Sequence, residues 1–364
     1  MKKALFVATI TGHINTFHLP YLQLLKEKGY KVYVATGDNK KVEKYCDKKY
    51  NISLKRTPYD LKNIMAIKQL KKIIDEEKFD LIHCHTPMGA VITRLAAKKT
   101  RKKHNTKVIY TAHGFHFYKG APLKNWIVYY PVELYLSKFT DTIITINKED
   151  YELAKKHFSK RCKDIQYVPG VGIDIKKFDI KLSEAEQKVL KKSLCLKESS
   201  LILTNVARLD KNKNQGFLID SMEKINKIDS NIHLLLVGPD ELNGYYQMKV
   251  KKCNLEKNIH FLGKRDDIPE ILKITDIVVS ASQREGLPVN VMESLASNVP
   301  VIALNCRGMK DLISNGKNGY IVSNQEEFID KVLQLKNEKL KNIKINISFS
   351  IDSIREKMAK IYFK

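Results

Sequence analysis

Short apolar runs alternate with helical patterns along this chain, and they do so in two series separated by one break. The first series of runs is Ala4–Ile10, Lys31–Thr36, Asp80–Cys84, Val108–Ala112, Asp141–Ile146 and Ile165–Val168. The second is Leu201–Ala207, Ile232–Val237, Ile259–Leu262, Ile277–Ser280, Val299–Ala303 and Tyr320–Val322. The runs are dense in Val, Ile, Leu and Tyr and lack strict alternation, which suits strands covered on both faces in a parallel sheet. Helical periodicity lies between the early runs, near 17–28, 63–78, 88–103, 122–138 and 148–158. The pattern breaks at Pro169-Gly170-Val171-Gly172 and restarts after a polar stretch, so a linker is predicted at about 170–195. Strand-helix alternation twice over predicts an α/β chain of two Rossmann-like, doubly wound domains. The length of 364 residues agrees, because it exceeds the usual span of one hydrophobic core. The predicted domains are 1–175 and 176–349, with a C-terminal helical segment in 350–364.

Composition narrows the class. A chain that is 43% hydrophobic and 29% charged is ordinary for a globular enzyme and excludes disorder as its main state. The net charge of +25 is uneven. Residues 1–175 hold 33 Lys and Arg against 16 Asp and Glu, whereas residues 176–364 hold 32 against 24. A basic first half attracts polyanions such as anionic lipid, nucleic acid or diphosphate-bearing substrates. Six cysteines lie far apart, without a CxxC or a zinc-like Cys/His spacing, and read as reduced thiols. No apolar run reaches the roughly 20 residues needed to span a bilayer, and the start does not read as a signal peptide.

Ligands of doubly wound sheets bind beyond the carboxyl ends of the strands, so the residues after each strand carry the functional signal. The sharpest segment is Ser282-Gln-Arg-Glu285-Gly286-Leu287-Pro288-Val289-Asn290-Val291-Met292-Glu293. Gly286 permits a tight turn, and Pro288 stands where a helix can begin. The free amides of such a helix start form an anion site suited to a diphosphate. Glu285 before the helix and Glu293 on it are poor phosphate ligands but good acceptors for sugar hydroxyls. Arg208 and Lys213 follow the strand Leu201–Ala207 and suit phosphate oxygens. Arg265, in Gly263-Lys-Arg265-Asp, could edge a nucleotide base. His113 follows the strand Val108–Ala112 in Thr111-Ala-His113-Gly-Phe-His-Phe117. Gly12 follows the first strand without the three glycines of a dinucleotide fingerprint, so NAD and FAD are not supported.

Other chemistry is missing from the sequence. There is no GxxxxGK[ST], no Asp-x-Asp pair for a metal-diphosphate site, and no GxSxG elbow. No metal ligand set and no cofactor are therefore expected. Trp126, Tyr129, Tyr130 and Tyr135 lie downstream of a basic cluster of Arg94, Lys98, Lys99, Arg101, Lys102, Lys103 and Lys107. Aromatics with Lys and Arg suit an anionic membrane surface; an amphipathic core helix beside a solvated basic face is the other reading.

Glu285-x7-Glu293, Arg208 with Lys213, the His113 strand end and the Pro-Gly-Val-Gly linker together resemble glycosyltransferase family 4. These are the retaining enzymes of GT-B architecture, in which two Rossmann-like domains face a central cleft. Ile82-His-Cys-His-Thr-Pro-Met-Gly89, Thr111-Ala-His-Gly-Phe-His-Phe-Tyr-Lys-Gly-Ala-Pro122 and Tyr167-Val-Pro-Gly-Val-Gly-Ile-Asp174 resemble the CapM-like or EpsD-like capsule and exopolysaccharide branch. The likeness covers nearly the whole chain. Family members often carry Phe-Gly inside the Glu-x7-Glu segment, whereas here Gly286 runs into Leu287-Pro288.

The resemblance implies an acceptor-binding first domain, completed by the C-terminal helix, and a donor-binding second domain. It implies that Glu285 holds donor-sugar hydroxyls, Gly286 to Val289 bind the diphosphate through their amides, and Glu293 holds the ribose. Arg208 and Lys213 would neutralise the leaving nucleoside diphosphate. His113 would hydrogen-bond the donor sugar, and Gly12 would let its loop approach the phosphates. The expected reaction is metal-independent transfer, with retention, from a UDP-sugar to a lipid-linked saccharide at the cytoplasmic face of the membrane. The rival expectations are a GT-B enzyme of the UDP-sugar 2-epimerase kind and a non-catalytic basic binder of membrane or nucleic acid. Nucleic acid is not expected as a partner, because no RNA- or DNA-binding motif is present.

Overall fold

The computed structural model describes residues 1–340 and 343–364. Lys341 and Asn342, inside the expected second domain, lie outside the described residues. The chain forms two compact units, Met1–Gly172 with Ile351–Lys364, and Ile173–Ser350.

The first unit runs β1 (Lys3–Val7), α1 (Thr11–Phe17), α2 (Leu19–Glu27), β2 (Lys31–Thr36), β3 (Lys48–Asn51), α3 (Lys62–Glu77), β4 (Leu81–Cys84), α4 (Pro87–Ala97), α5 (Thr100–Lys103), β5 (Lys107–Ala112), α6 (Leu123–Ser137), β6 (Thr142–Thr145), α7 (Lys148–Phe158) and β7 (Asp164–Tyr167). Its seven strands are ordered β3-β2-β1-β4-β5-β6-β7, all parallel. Leu5, Val7, Ile82, Val108 and Tyr110 face one side with α3 and α4, and Ala4, Phe6, Val32, Val34 and Ile109 face the other with α2. Both faces are buried, which is why the strands read as continuous apolar runs.

The second unit runs α8 (Ile175–Phe178), α9 (Glu184–Ser193), β8 (Leu201–Val206), α10 (Gln215–Ile228), β9 (Ile232–Val237), α11 (Tyr245–Lys252), β10 (Ile259–Gly263), α12 (Ile268–Lys273), β11 (Ile277–Ser280), α13 (Val289–Ala296), β12 (Val301–Leu304), β13 (Gly319–Val322) and α14 (Gln325–Asn337). Its six parallel strands are ordered β10-β9-β8-β11-β12-β13. Both sheets thus reverse direction beside their first strand, between β1 and β4 and between β8 and β11. Ligands of open α/β sheets bind at such switch points.

The last helix, α15 (Ile351–Phe363), belongs to the first unit. Ile354, Met358, Ile361 and Tyr362 complete the buried cluster around Phe6, Ile14 and Leu25. Each of those apolar side chains contributes about 1.5–3 kcal/mol as an upper estimate. Gly172 (φ +78°) sits under this helix, where a Cβ would lie 2.8 Å from the Cα of Ile351. That contact explains a glycine in the Pro-Gly-Val-Gly break.

Several local expectations change. The polar stretch after that break is not plain linker. It contains α8 and α9, the latter opened by a reciprocal cap between Ser183 and Glu186. The helix expected over 17–28 is α2, which starts at Leu19 with Pro20 in its first turn, and a further helix, α1, precedes it up to the break at His18. The helix expected over 88–103 is likewise split into α4 and α5. Strand β3 was not anticipated, because Lys-Lys-Tyr-Asn at a sheet edge has no apolar run to reveal it.

Candidate functional site

The switch point of the second unit gathers most of the singled-out residues. The loop after β8 carries Arg208 and Lys213, and the loop after β11 carries Glu285 and Gly286. The two loops are tied by backbone contacts. Gln283 N–H donates to the Asn212 carbonyl at 2.9 Å, and the Asn212 side-chain amide donates to the Arg284 carbonyl at 3.1 Å. Deeper down, the Asn290 amide on α13 donates to the Val206 carbonyl at 2.9 Å, joining that helix to the end of β8.

The helix start is shaped as the sequence suggests. Pro288 is the N-cap of α13, with no side-chain cap and no acidic residue in the first turn. The first-turn amides keep their donors for an incoming anion. Leu287 is buried and anchors the turn. Val289 begins the helix and Glu293 lies one turn on.

The cations are held by carboxylates. Lys213 Nζ pairs with Glu285 Oε1, and both side chains are largely shielded from solvent. Arg208 Nη1 donates to both oxygens of Glu241, at 2.8 and 2.9 Å, and Nη2 lies 3.2 Å from Asp210. Arg265 is not brought into this group: it forms a fork with Asp267 at the start of α12, with Nε–Oδ1 at 2.8 Å. Among the described residues no ion pair links it to Glu285, Lys213 or Arg208. Glu293 is half-buried, and burial pushes its carboxyl up to about 7, offset in part by Lys177.

One supporting residue escaped the sequence reading. Gly308, in the 3-10 turn Arg307–Asp311, packs against the backbone of the Glu285 loop. A Cβ there would fall on the Gly286 carbonyl, 2.8 Å from its carbon and 2.9 Å from Leu287 Cα. The Cys306 thiol bonds the Glu285 backbone from the same turn, and burial pushes that thiol up to about 12. An isolated Gly after β12 has no distinctive spacing, so only the packing reveals it.

In the first unit, Gly12 lies inside α1 rather than in a loop. The space beside it is open, with Ile10 Cδ1 nearest at 4.0 Å to a notional Cβ. His113 stands directly after β5, as expected, but not alone. Its Nε2 lies 3.3 Å from His85 Nδ1, and its ring meets His13 edge-on with centroids 4.8 Å apart. His18 stacks on His85 at 3.7 Å. His85 and His113 follow β4 and β5, while His13 lies in α1 and His18 at the α1–α2 break, in the segment that follows β1, their neighbour in the sheet.

The basic cluster needs a correction. Arg94 is fully buried, with Nη1 and Nη2 donating to Glu133 at 2.8 and 3.1 Å, and its guanidinium 4.1 Å over the Tyr110 ring. It cannot meet a surface. Arg101 is tied to Asp141. Lys98, Lys99, Lys102 and Lys103 remain exposed. Trp126, Tyr129 and Tyr130 pack on the core, whereas Leu123, Ile127, Val128, Val132 and Tyr135 of α6 are exposed. No described helix is long and apolar enough to cross a membrane.

Two parallel-sheet Rossmann-like units, one with an anion-ready helix start between paired charges, define the class. The family model for "Glycosyl transferases group 1" matches residues 186–347, and that for "Glycosyl transferase 4-like" matches residues 3–147. EpsD of Bacillus subtilis (strain 168) is 39% identical over 370 residues, 99% of this chain and 96% of EpsD. The Escherichia coli UDP-Gal:alpha-D-GlcNAc-diphosphoundecaprenol alpha-1,3-galactosyltransferase is 29% identical, over 80% of this chain and 74% of that one. The crystal structure of Anabaena Alr3699/HepE in complex with UDP and glucose matches over 100% of both chains with a TM-score of 0.77 and 19% identity, a likeness of fold. The chain belongs to the group 1, GT4-like glycosyltransferases, in the branch that includes EpsD. It is a GT-B glycosyltransferase of bacterial polysaccharide synthesis.

Proposed function

We propose that this enzyme moves a sugar from a UDP-sugar to a lipid-linked saccharide, with retention of configuration and without a metal in the chemical step. The observation that carries the reading is the uncapped start of α13 beside the Lys213–Glu285 pair at the second switch point. The E. coli relative, which by its name uses UDP-Gal and a diphosphoundecaprenol-linked acceptor, supports the choice of donor and acceptor class.

In this reading the N–H groups of Gly286, Leu287 and Val289 take the diphosphate, while Pro288, which has no N–H, opens the helix. Arg208 and Lys213 trade their carboxylate partners for phosphate oxygens as charge builds on the leaving group, a fixed electrostatic stabilisation. Glu285, released from Lys213, accepts from sugar hydroxyls, and Glu293 accepts from the ribose. Arg265 edges the base. On the first unit, His113 hydrogen-bonds the donor sugar and Gly12 leaves room for the phosphates. The first unit serves the acceptor and the second the donor. The two built-in cations and the helix terminus already supply the positive charge that a metal would bring, so no step is routed through one.

We place the enzyme at the cytoplasmic side of the membrane as a peripheral protein. The exposed apolar residues of α6 and the exposed lysines from Lys98 to Lys103 support that placement, since such a face binds anionic lipid. The test is a panel of UDP-sugars with vesicles carrying a polyprenyl-diphosphate saccharide. UDP release that depends on the acceptor is expected. UDP release without acceptor, with a free epimerised sugar, would replace this reading with the 2-epimerase one. Binding to vesicles with no turnover of any donor would favour a non-catalytic binder.

A further inference from the structure

Five histidines crowd the switch point of the first sheet, and they are not equivalent. His83 is fully satisfied: Nδ1 meets the Tyr362 hydroxyl and Nε2 the Thr111 hydroxyl, each at 2.8 Å. Three of the other four are not. His13 Nε2, both ring nitrogens of His18, and His85 Nε2 are buried without a hydrogen-bond partner. His18 and His85 are 1% and 0% exposed. Buried polar groups are almost always paired, so a cluster of orphans asks for an explanation. His83 shows that the same fold can satisfy an imidazole when it only needs to pack one.

Geometry supplies the explanation. One nitrogen from each of His13, His18, His85 and His113 can be chosen so that all lie within 4.8 Å of one another. Four-coordinate zinc, with bonds of about 2.0–2.1 Å, spaces its ligand nitrogens about 3.3 Å apart. The His85–His113 pair already stands at 3.3 Å. We infer that these four rings form a binding site for a transition-metal dication of the zinc type.

The ligand chemistry selects the ion. Four imidazoles without a carboxylate suit zinc and its neighbours, not magnesium or calcium, which take oxygen ligands. His18 and His85 form the buried floor, walled by Phe6 and Tyr21; their rings are stacked at 3.7 Å, closer than two rings stand when both ligate one ion, so binding must part that stack. Four protein ligands close the coordination sphere, so the bound ion has no open position for substrate. His113 would ligate through one ring nitrogen and keep the other, as N–H, for the donor sugar.

The test is binding, not activity. Tag-free full-length enzyme, stripped of metal, is dialysed against Zn²⁺ and counted, and titrated with Co²⁺ for its visible spectrum. One ion per chain is expected, with the strong bands of four-coordinate Co²⁺. His113→Gln and His18→Gln should lose affinity by more than the roughly 10–100-fold that outer-shell changes cost. His260→Gln, which breaks the separate His233–His260 contact of 3.1 Å, should leave the count unchanged. Should His18→Gln fail to fold, His113→Gln, at a half-buried position, decides alone. No bound metal, a weak six-coordinate Co²⁺ spectrum, or equal binding by His113→Gln would each overturn the site.

Discussion

At the second switch point both key cations have carboxylate partners: Lys213 holds Glu285, and Arg208 holds Glu241 and Asp210. At the first, four imidazoles share a small space with four ring nitrogens unpaired. The topological position is the same and the treatment is opposite. Ion pairs fix charges in place while leaving them exchangeable, because a ligand anion can take over the cation. Orphaned imidazoles have nothing to exchange, and they gain most from a partner that all can share. The first arrangement suits a charged substrate that arrives and leaves at each turnover, the second a ligand that stays.

The largest effect expected from this contrast is on turnover. Arg208→Ala should lower kcat by about 10²–10³-fold, the usual cost of removing one group that stabilises a developing anion. Its guanidinium is 51% exposed, so stability should move by no more than about 0.5 kcal/mol. Wild-type turnover in that variant would remove Arg208 from the site. Next comes Gly308→Ala. Its new methyl group must displace the Gly286 backbone, and a shift of about 1 Å can cost about 10²-fold in kcat/KM. An unchanged kcat/KM would mean that the Glu285 loop tolerates displacement.

His113→Ala tests the other region. Transfer should fall about tenfold, the scale of one lost hydrogen bond, while UDP binding measured by calorimetry stays the same. His113→Gln should lose less. Equal loss of UDP affinity would contradict the proposed sugar contact.

A smaller effect concerns pH. The Glu293 carboxyl is raised from 4.5 to about 7, so between those values the folded enzyme binds more protons than the unfolded chain. Stability should therefore fall as pH rises through that window, by about 1 kcal/mol after allowance for partial solvent screening. Urea unfolding of Glu293→Gln should lack this slope, and a slope equal to wild type would assign it to another group. The smallest expected effect is none: transfer should persist at the same rate in excess EDTA. Complete loss, restored by Mg²⁺ or Mn²⁺, would make Glu285 a metal ligand.

Much of this was legible before any coordinates. The two sheets, and the loops that end in Arg208, Lys213 and Glu285, follow from apolar runs and glycine punctuation, because a buried parallel strand has little choice of composition. The helix α9 was legible in Ser183-x-x-Glu186, but its polar surface, with no residue fully buried, imitates a linker. The histidine cluster was legible only in principle. His13, His85 and His113 are far apart in sequence, and they meet because β1, β4 and β5 are neighbours in a 3-2-1-4-5 order. Ion pairs such as Arg208–Glu241 leave no trace in spacing at all, since they depend on where two loops come to rest.

The return of α15 to the first unit bears on how the enzyme is made. Residues 1–172 leave the ribosome early, yet one side of their sheet lacks Ile354, Met358, Ile361 and Tyr362 until the last helix is synthesised. At about 5–20 residues per second, the intervening stretch takes on the order of ten seconds or more. Through that interval an apolar groove beside Phe6 and Leu25 stays open, and His83 waits for the Tyr362 hydroxyl. The second unit, whose chain is continuous, can fold as it emerges. The amino-terminal half, though translated first, would be the last to reach its native state.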